Sequence, residues 1–309
     1  MHSSQIKKLN AYIQNKIQTS TPHSILKTRP IDKYTPLHKN YIKSTTIAEK
    51  KEFWKRKELH GKYPLELEKA DKVTSLLWLK KGELFSETEG FITAIQDKVI
   101  PTKNYLKYIM KKPNIIDTCR LCNNHPETID HITSGCSKIA QTEYLNRHNL
   151  SAAIIHKELA IRFNLISDNI PYYNYSPQPV LENELYKIYW DLTIITDKTM
   201  PNNRPDITFL DKKNKTAIFF DVSHPNDHNI HTAEQTKINK YFNLTQEYKA
   251  IHRLNTVTIA PIIISSTGLI TKNTVQIMQK INLKHLLPLI QKSVILQTCS
   301  IVRKTLNIQ

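Results

Sequence analysis

The sequence predicts an α/β protein, with helices first and strands alternating with helices after them. Three observations lead there. Apolar residues recur at helical spacing through the first half of the chain. Tyr and Pro then crowd into IPYYNYSPQP at 170–179, a composition typical of a domain boundary. Beyond it, short β-branched and aromatic runs appear, such as PDITFL (205–210) and TAIFFDVS (216–223). With 309 residues, 39% of them hydrophobic, the chain has room for more than one core.

The elements follow in order. Residues 1–17 place Ile6, Leu9, Tyr12, Ile13 and Ile17 on one face of a short basic helix. Residues 18–45 carry Pro22, Pro30 and Pro36 among Thr, Ser and Lys and read as a linker. The patch KKEFWKRK (50–57) completes a basic arm over 1–62. There Lys55, Arg56 and Lys57 would grip phosphates while Phe53 and Trp54 stack on bases. The same residues also suit a nuclear-import patch or a solvated helix face.

A helical region is expected over 63–116. Pro64 opens a helix running to 81, Leu67, Ala70, Val73 and Leu77 repeat along it, and Gly82 stops it. Ser86-x-x-Glu89 predicts a capping box for a helix carrying Phe91, Ile95 and Val99, and NYLKYIMKK (104–112) resumes after Pro101. A Cys-rich segment and a helix from about 141 to 164 occupy 117–165. In the last region, 178–309, residues 184–196 read as helix or strand leading into a strand. PDITFL and TAIFFDVS flank the turn DKKNK as a hairpin. A long helix over 232–252, a buried strand over 256–266 ending near Gly268, and two helices within 271–306 complete the order.

The 44 Lys and Arg outnumber the 27 Asp and Glu, a net charge of +17, which points to a polyanionic partner and first to nucleic acid. Only 5 Gly are present, and neither G-x-G-x-x-G nor G-x-x-x-x-G-K-[ST] occurs, so glycine-cradled nucleotide sites are excluded. The opening MHSSQIKKLNAYIQ lacks an apolar signal core. No run approaches the ~18 apolar residues of a membrane span. The expectation is a soluble, intracellular and nuclear protein without a membrane partner.

Three of the 4 Cys fall within 119–136, in the order Cys119-x2-Cys122-x8-His131-x4-Cys136. Zn²⁺ takes four N or S ligands in a tetrahedron, and two Cys spaced two apart form the usual first half of such a site. Four ligands leave no open position, so the expected role is structural, folding a segment with little core of its own. His125 is the rival fourth ligand, although two residues from Cys122 is a cramped return. Cys299, on a late apolar helix, reads as a buried thiol.

A second constellation starts at Arg204-Pro205-Asp206 and includes Asp221. A hairpin symmetric about Lys213–Asn214 sets Asp206 opposite Asp221, where like charges repel and a hard cation such as Mg²⁺ would relieve them. A one-residue slip would separate them onto opposite faces. The plainer alternative is that Asp206 opens one strand and Asp221 caps another. Downstream, Glu234, Lys237 and Tyr241 share a helix face, and Lys240 and Arg253 add charge beside it. Carboxylates, a metal and a lysine are the parts of a phosphodiester hydrolase. The loop between them carries His224, Asp227, His228 and His231, suited to a DNA-facing loop or to a second metal.

These residues together resemble a family. GELFSETEGFITAIQDKVIPTKNYLKYI, the Cys-Cys-His-Cys knuckle and the R-P-D…D…K-x-x-x-Y pattern match, in order, the C-terminal part of site-specific non-LTR retrotransposon polyproteins that carry a restriction-like endonuclease. The resemblance spans roughly 63–305. It implies a restriction-endonuclease-like mixed sheet flanked by helices, behind helical arms and a zinc knuckle. It implies that Asp206 and Asp221 hold a catalytic Mg²⁺, that Lys237 is the catalytic lysine and that Tyr241 is its companion. In most such nucleases the lysine lies two residues after the second acid, where this chain has Ser223; the family moves it to the next helix. The implied activity is nicking of target DNA to prime reverse transcription on element RNA. No [FY]-x-D-D polymerase motif occurs in the chain. A fragment, a decayed copy, or a co-opted nucleic-acid-binding remnant without catalysis are therefore the other expectations. The oligomeric state is not legible.

Overall fold

The computed structural model describes residues 39–167 and 170–307 and divides the chain into Met1–Gly61 and Lys62–Gln309. The helix read over 1–17 and the linker up to 38 lie outside the described residues. The rest of the linker reading is corrected. After Pro36 nothing breaks a helix, and α1 runs over Lys39–Lys55. In this first unit Phe53 and Trp54 are exposed, and the Lys57 ammonium lies 5.2 and 5.5 Å from their ring centroids. Lys55 pairs with Glu52 at 3.1 Å.

The second unit opens with a correction too. The single helix expected over 64–81 is three: α2 (Lys62–Lys69), α3 (Lys72–Ser75) and α4 (Leu77–Lys81). Asp71 causes the first break. Its carboxylate accepts the Thr74 amide at 2.8 Å as an N-cap, and its own amide turns to Ile270 O at 2.9 Å. Gly82 does cap the last turn, but in right-handed backbone. Glu83 takes the left-handed conformation instead, at φ 48°. Glycine is required at 82 because a Cβ there would lie 2.2 Å from Trp78 O.

The capping box also fails. α5 (Ser86–Gln96) begins one residue early, with Phe85 as N-cap and no side-chain cap. α6 (Lys103–Tyr108) starts at Thr102, whose hydroxyl accepts the Tyr105 amide. One π-helical turn, Ala140–Tyr144, leads into α7 (Leu145–Arg162).

Five strands form one mixed sheet in sequential order: β1 (Val180–Glu182), β2 (Tyr186–Trp190), β3 (Ile207–Asp211), β4 (Thr216–Ser223) and β5 (Thr256–Ile263). The first three pairings are antiparallel. β4 and β5 are parallel, joined through α8 (Ile230–Ile251). Residues 184–196 resolve into strand β2 followed by an irregular loop. β1, too short to carry a periodicity, had no expectation attached.

Alternation divides the sheet into two faces. Ile207, Phe220, Val222 and Ile262 pack with Ala152, Ile155 and Leu159 of α7. Leu210, Ala217 and Phe219 pack with Tyr241, Leu244 and Tyr248 of α8. α9 (Lys272–Lys280) and α10 (Leu287–Leu306) follow. α10 supplies Ile290 and Val294 to the first core. It also supplies Ile295, Cys299 and Val302 to a second core with Trp78, Ile92, Ile95 and Ile132. The stretch 170–179, expected as a boundary, therefore joins elements of one unit. Lys284–Leu306 is long and apolar enough to cross a membrane by composition, but 61% of its most apolar window is buried in the protein.

Gln291 of α10 ties the helical region to the sheet. It is fully buried, donates to Ser75 O at 2.9 Å and Gly268 O at 2.7 Å, and accepts the Trp78 amide at 3.0 Å. Gln291→Leu should cost about 2–4 kcal/mol in chemical denaturation, because two buried carbonyls and an amide lose their partners. A loss below about 0.5 kcal/mol would show that the junction is carried by packing alone.

Candidate functional site

The Cys/His segment is built around one reversal. The Cys119 amide donates to His125 O at 2.7 Å, and Asn123, at φ 50°, donates to Cys119 O at 2.9 Å. Asparagine tolerates this left-handed backbone, and the turn brings Cys119 and Cys122 to one side. A π-helical turn over His131–Gly135 then presents His131, and Cys136 follows it. The ligand atoms of Cys119, Cys122, His131 and Cys136 all lie within 4.8 Å of one another and could hold a metal ion. Two of the approaches are Cys119 Sγ–Cys136 Sγ at 3.9 Å and Cys122 Sγ–His131 Nε2 at 3.3 Å. Three sulfurs and one imidazole are a zinc-like donor set. His125 lies outside the group, its ring centroid 5.5 Å from that of His131.

Fixed partners surround the cluster. Glu127, fully buried, accepts the Lys103 and Arg120 amides and both arms of the Arg120 guanidinium. The Tyr144 hydroxyl donates to Ile132 O at 2.7 Å and accepts the Cys136 amide at 3.1 Å. Such contacts hold metal ligands in place.

The second site lies at the end of the β3–β4 hairpin. The ladder pairs Ile207 with Phe220 and Asp211 with Thr216, so the four-residue turn is centred on Lys213–Asn214. Asp206, one residue before β3, continues that register toward Asp221. Asp206 Oδ2 accepts the Val222 amide at 2.6 Å, and Oδ1 lies 3.3 Å from His148 Nε2 of α7. Asp221 is 1% exposed, and Lys237 Nζ of α8 stands 2.8 Å from its Oδ2, as an ion pair without hydrogen-bond alignment. Tyr241, one turn on, is buried and donates its hydroxyl to Arg204 O at 2.9 Å. Lys240 does not reach the carboxylates by hydrogen bond. Its ammonium donates to Tyr241 OH at 2.7 Å and lies 4.5 Å from that ring's centroid.

The two carboxylates titrate apart. Burial works against the charge on Asp206, but the His148 hydrogen bond and charge, the Val222 amide and Lys237 outweigh it and hold that carboxyl below the usual range. Burial and then the Asp206 charge push Asp221 up to about 6, with Lys237 opposing. Burial would lower His148, yet the bond to Asp206 leaves it raised. His148 therefore meets Asp206 as a partner that favours the charged form of the carboxylate.

The structure brings Asp206, Asp221, Lys237 and Tyr241 together. Ser223 lines the same corner. Lys55, Arg56 and Lys57 belong to the other unit. Among the described residues His224, His228 and His231 form no converging ligand group. His148 and its neighbour Arg147 had escaped the sequence reading. They lie in a helix whose apolar period alone is visible locally, and their partners are far along the chain.

Because Asp221 is protonated more readily folded than unfolded, it weakens the fold as pH rises from about 4 through about 6. In metal-free protein its carboxyl resonance should titrate near 6. Asp206→Asn should lower that midpoint by removing the like charge, and Lys237→Met should raise it. An Asp221 midpoint that Asp206→Asn leaves unchanged would show that the two carboxylates do not interact.

A scan against protein-family models finds no match for the chain, and a search of curated proteins finds none either.

Proposed function

We propose that the Lys62–Gln309 unit is a metal-dependent DNA endonuclease, the restriction-like nuclease with its zinc knuckle that the retrotransposon resemblance implies. One observation carries the reading: Lys237 meets Asp221 at 2.8 Å from the helix after the hairpin, with Asp206 on the adjoining strand end. Two carboxylates set against each other beside one lysine suit phosphodiester hydrolysis and serve packing poorly.

The donor chemistry fits Mg²⁺. Asp206 and Asp221 are hard oxygen donors, and the Asp206 charge, which adds to burial in raising Asp221, is repulsion a dication would offset. When bound, Mg²⁺ would polarise the phosphate and lower the pKa of water. The chain's own groups do the rest. The Val222 amide and His148 fix the rotamer of Asp206. Lys237, drawn to Asp221 in the metal-free chain, is the cation available to the attacking oxygen or the developing charge. Tyr241, one helical turn after it, anchors Arg204 O, which holds the loop before β3. In the knuckle, Zn²⁺ is the proposed ion, with a structural role. Lys55, Arg56, Lys57 and Lys240 are proposed as phosphate contacts. Target DNA, with element RNA as a second ligand, and the nucleus are the partners and location that follow.

The test is nicking of supercoiled plasmid in Mg²⁺. Wild type should nick and Asp206→Asn should not; a wild type that binds DNA and never nicks would make the chain a binding remnant. In single turnover, Lys237→Ala should slow nicking by about 100-fold or more and leave DNA affinity within a few-fold, as a group acting on the transition state does. Lys240→Ala should weaken binding modestly. The reverse pattern would transfer the catalytic role to Lys240.

Purified protein should carry one Zn²⁺ per chain by metal analysis. Cys119→Ser or Cys136→Ser should remove it and expose the segment 117–140 to proteolysis. Unchanged metal content in both variants would place the ion elsewhere.

A further inference from the structure

Arg147 is a buried cation without a counter-charge. It is 2% exposed, and no carboxylate among the described residues stands near it. Its Nη1 donates to Thr298 Oγ1 at 2.9 Å, and its guanidinium lies 5.2 Å from the Tyr144 ring centroid. Its Nε has no partner. Desolvating a guanidinium is costly unless it is paired, and one hydroxyl and one ring face repay only part of that cost. Burial brings its pKa down to about 10, so it stays charged at neutral pH.

His224 adds a second buried polar atom without a partner. It is 9% exposed, its Nδ1 bonds Ile264 O at 2.9 Å, and its Nε2 is buried with no partner. Arg147 and His224 line one cavity of about 370 Å³, together with Ser134, Tyr144, His148 and Lys237. No acidic side chain lines it. Its walls come from four places: the turn after His131, the approach to and start of α7, the end of β4, and Lys237 of α8.

We propose that this cavity is a phosphate-binding site, and that its occupant is a backbone phosphate of the strand held beside Asp206 and Asp221. The choice of a strand rests on the endonuclease reading; the phosphate site itself does not. A phosphate supplies what the cavity lacks: negative charge for Arg147 and an acceptor oxygen for its free Nε. Lys237 borders both the cavity and Asp221, so a strand seated there enters the carboxylate corner at a fixed register. Arg147 is thus a positioning residue.

The test titrates inorganic phosphate into the full chain, with sodium chloride at equal ionic strength as control. Thermal unfolding and the ring resonances of His148 and His224 are followed. Phosphate in the millimolar range should raise the unfolding midpoint by several degrees where chloride does not, and shift both rings. Arg147→Met keeps the bulk and drops the charge. It should need at least 10-fold more phosphate for the same response, and in phosphate-free buffer it should be at least as stable as wild type. Its affinity for a short duplex should fall about 10-fold.

A folded Arg147→Met that responds like wild type overturns the site, as does phosphate that leaves both wild-type rings unshifted. If Arg147→Met does not fold, the wild-type ring shifts decide. If phosphate binds but the variant keeps its duplex affinity, the strand is overturned as the source, and a free phosphate is the ligand. None of these readouts needs cleavage. A chain that binds phosphate here and never nicks plasmid would sink the nuclease reading and leave this site standing.

Discussion

The pairing of β3 with β4 sets the position of nearly everything in the second unit. Ile207 faces Phe220, and the same count carried one step outward sets Asp206 against Asp221. A side chain's face in a strand alternates, so a slip of one residue would send Phe219 and Phe220 to the wrong cores and part the two acids together. The apolar pattern and the carboxylate pair are therefore secured by one register. Repulsion between the acids is then met from two sides. α7 brings His148 to Asp206 and α8 brings Lys237 to Asp221. Each helix is also packed onto the sheet by its own apolar stripe, so the charges are aligned by the hydrophobic core and do not have to build it.

The Cys/His cluster stands close to this corner. The Ser134 hydroxyl donates to His224 O at 3.1 Å, and the Thr133 hydroxyl lies 3.4 Å from Asn226 Oδ1. Tyr144 clasps the turn after His131 and lies at the entry to α7, three residues ahead of Arg147. An ion on Cys119, Cys122, His131 and Cys136 would tighten that turn. The same turn would be stiffened against β4 and against the helix that carries His148. A metal held only by structural ligands can in this way govern how well the carboxylate corner is formed.

Features confined to one stretch of chain were legible in the sequence. The Cys-x2-Cys and His-x4-Cys spacings foretold the convergent cluster, since the turn that gathers them is local. The polar turn DKKNK foretold the hairpin and its centre, and the common face of Lys237 and Tyr241 foretold which lysine meets the acids. What depended on distant partners was not legible. Asp71 breaks a helix because Ile270 O accepts its amide. Tyr and Pro at 170–179 looked like a boundary, yet α10 threads both cores and binds the two sides together. Arg147, His148 and His224 carry no local signature at all, because their meaning comes from α7 lying against the end of β4.

The fold gathers several charged groups into one buried corner. Much of the interior is met with aliphatic and aromatic side chains, and buried polar groups such as Gln291 and Glu127 are bonded on each side, while Trp78 Nε1 and Tyr248 OH are neutral groups without a partner. At the open end of β3 and β4, by contrast, a carboxylate is held against another carboxylate, and a guanidinium lies buried without an acid. Lys237 meets Asp221 and His148 meets Asp206, which leaves Arg147 as the charge without an acid. A chain selected for stability alone gains nothing from that arrangement. A ligand that brings a cation to the carboxylates and an anion to the guanidinium resolves both at once, and a phosphate backbone with its counter-ion has that composition.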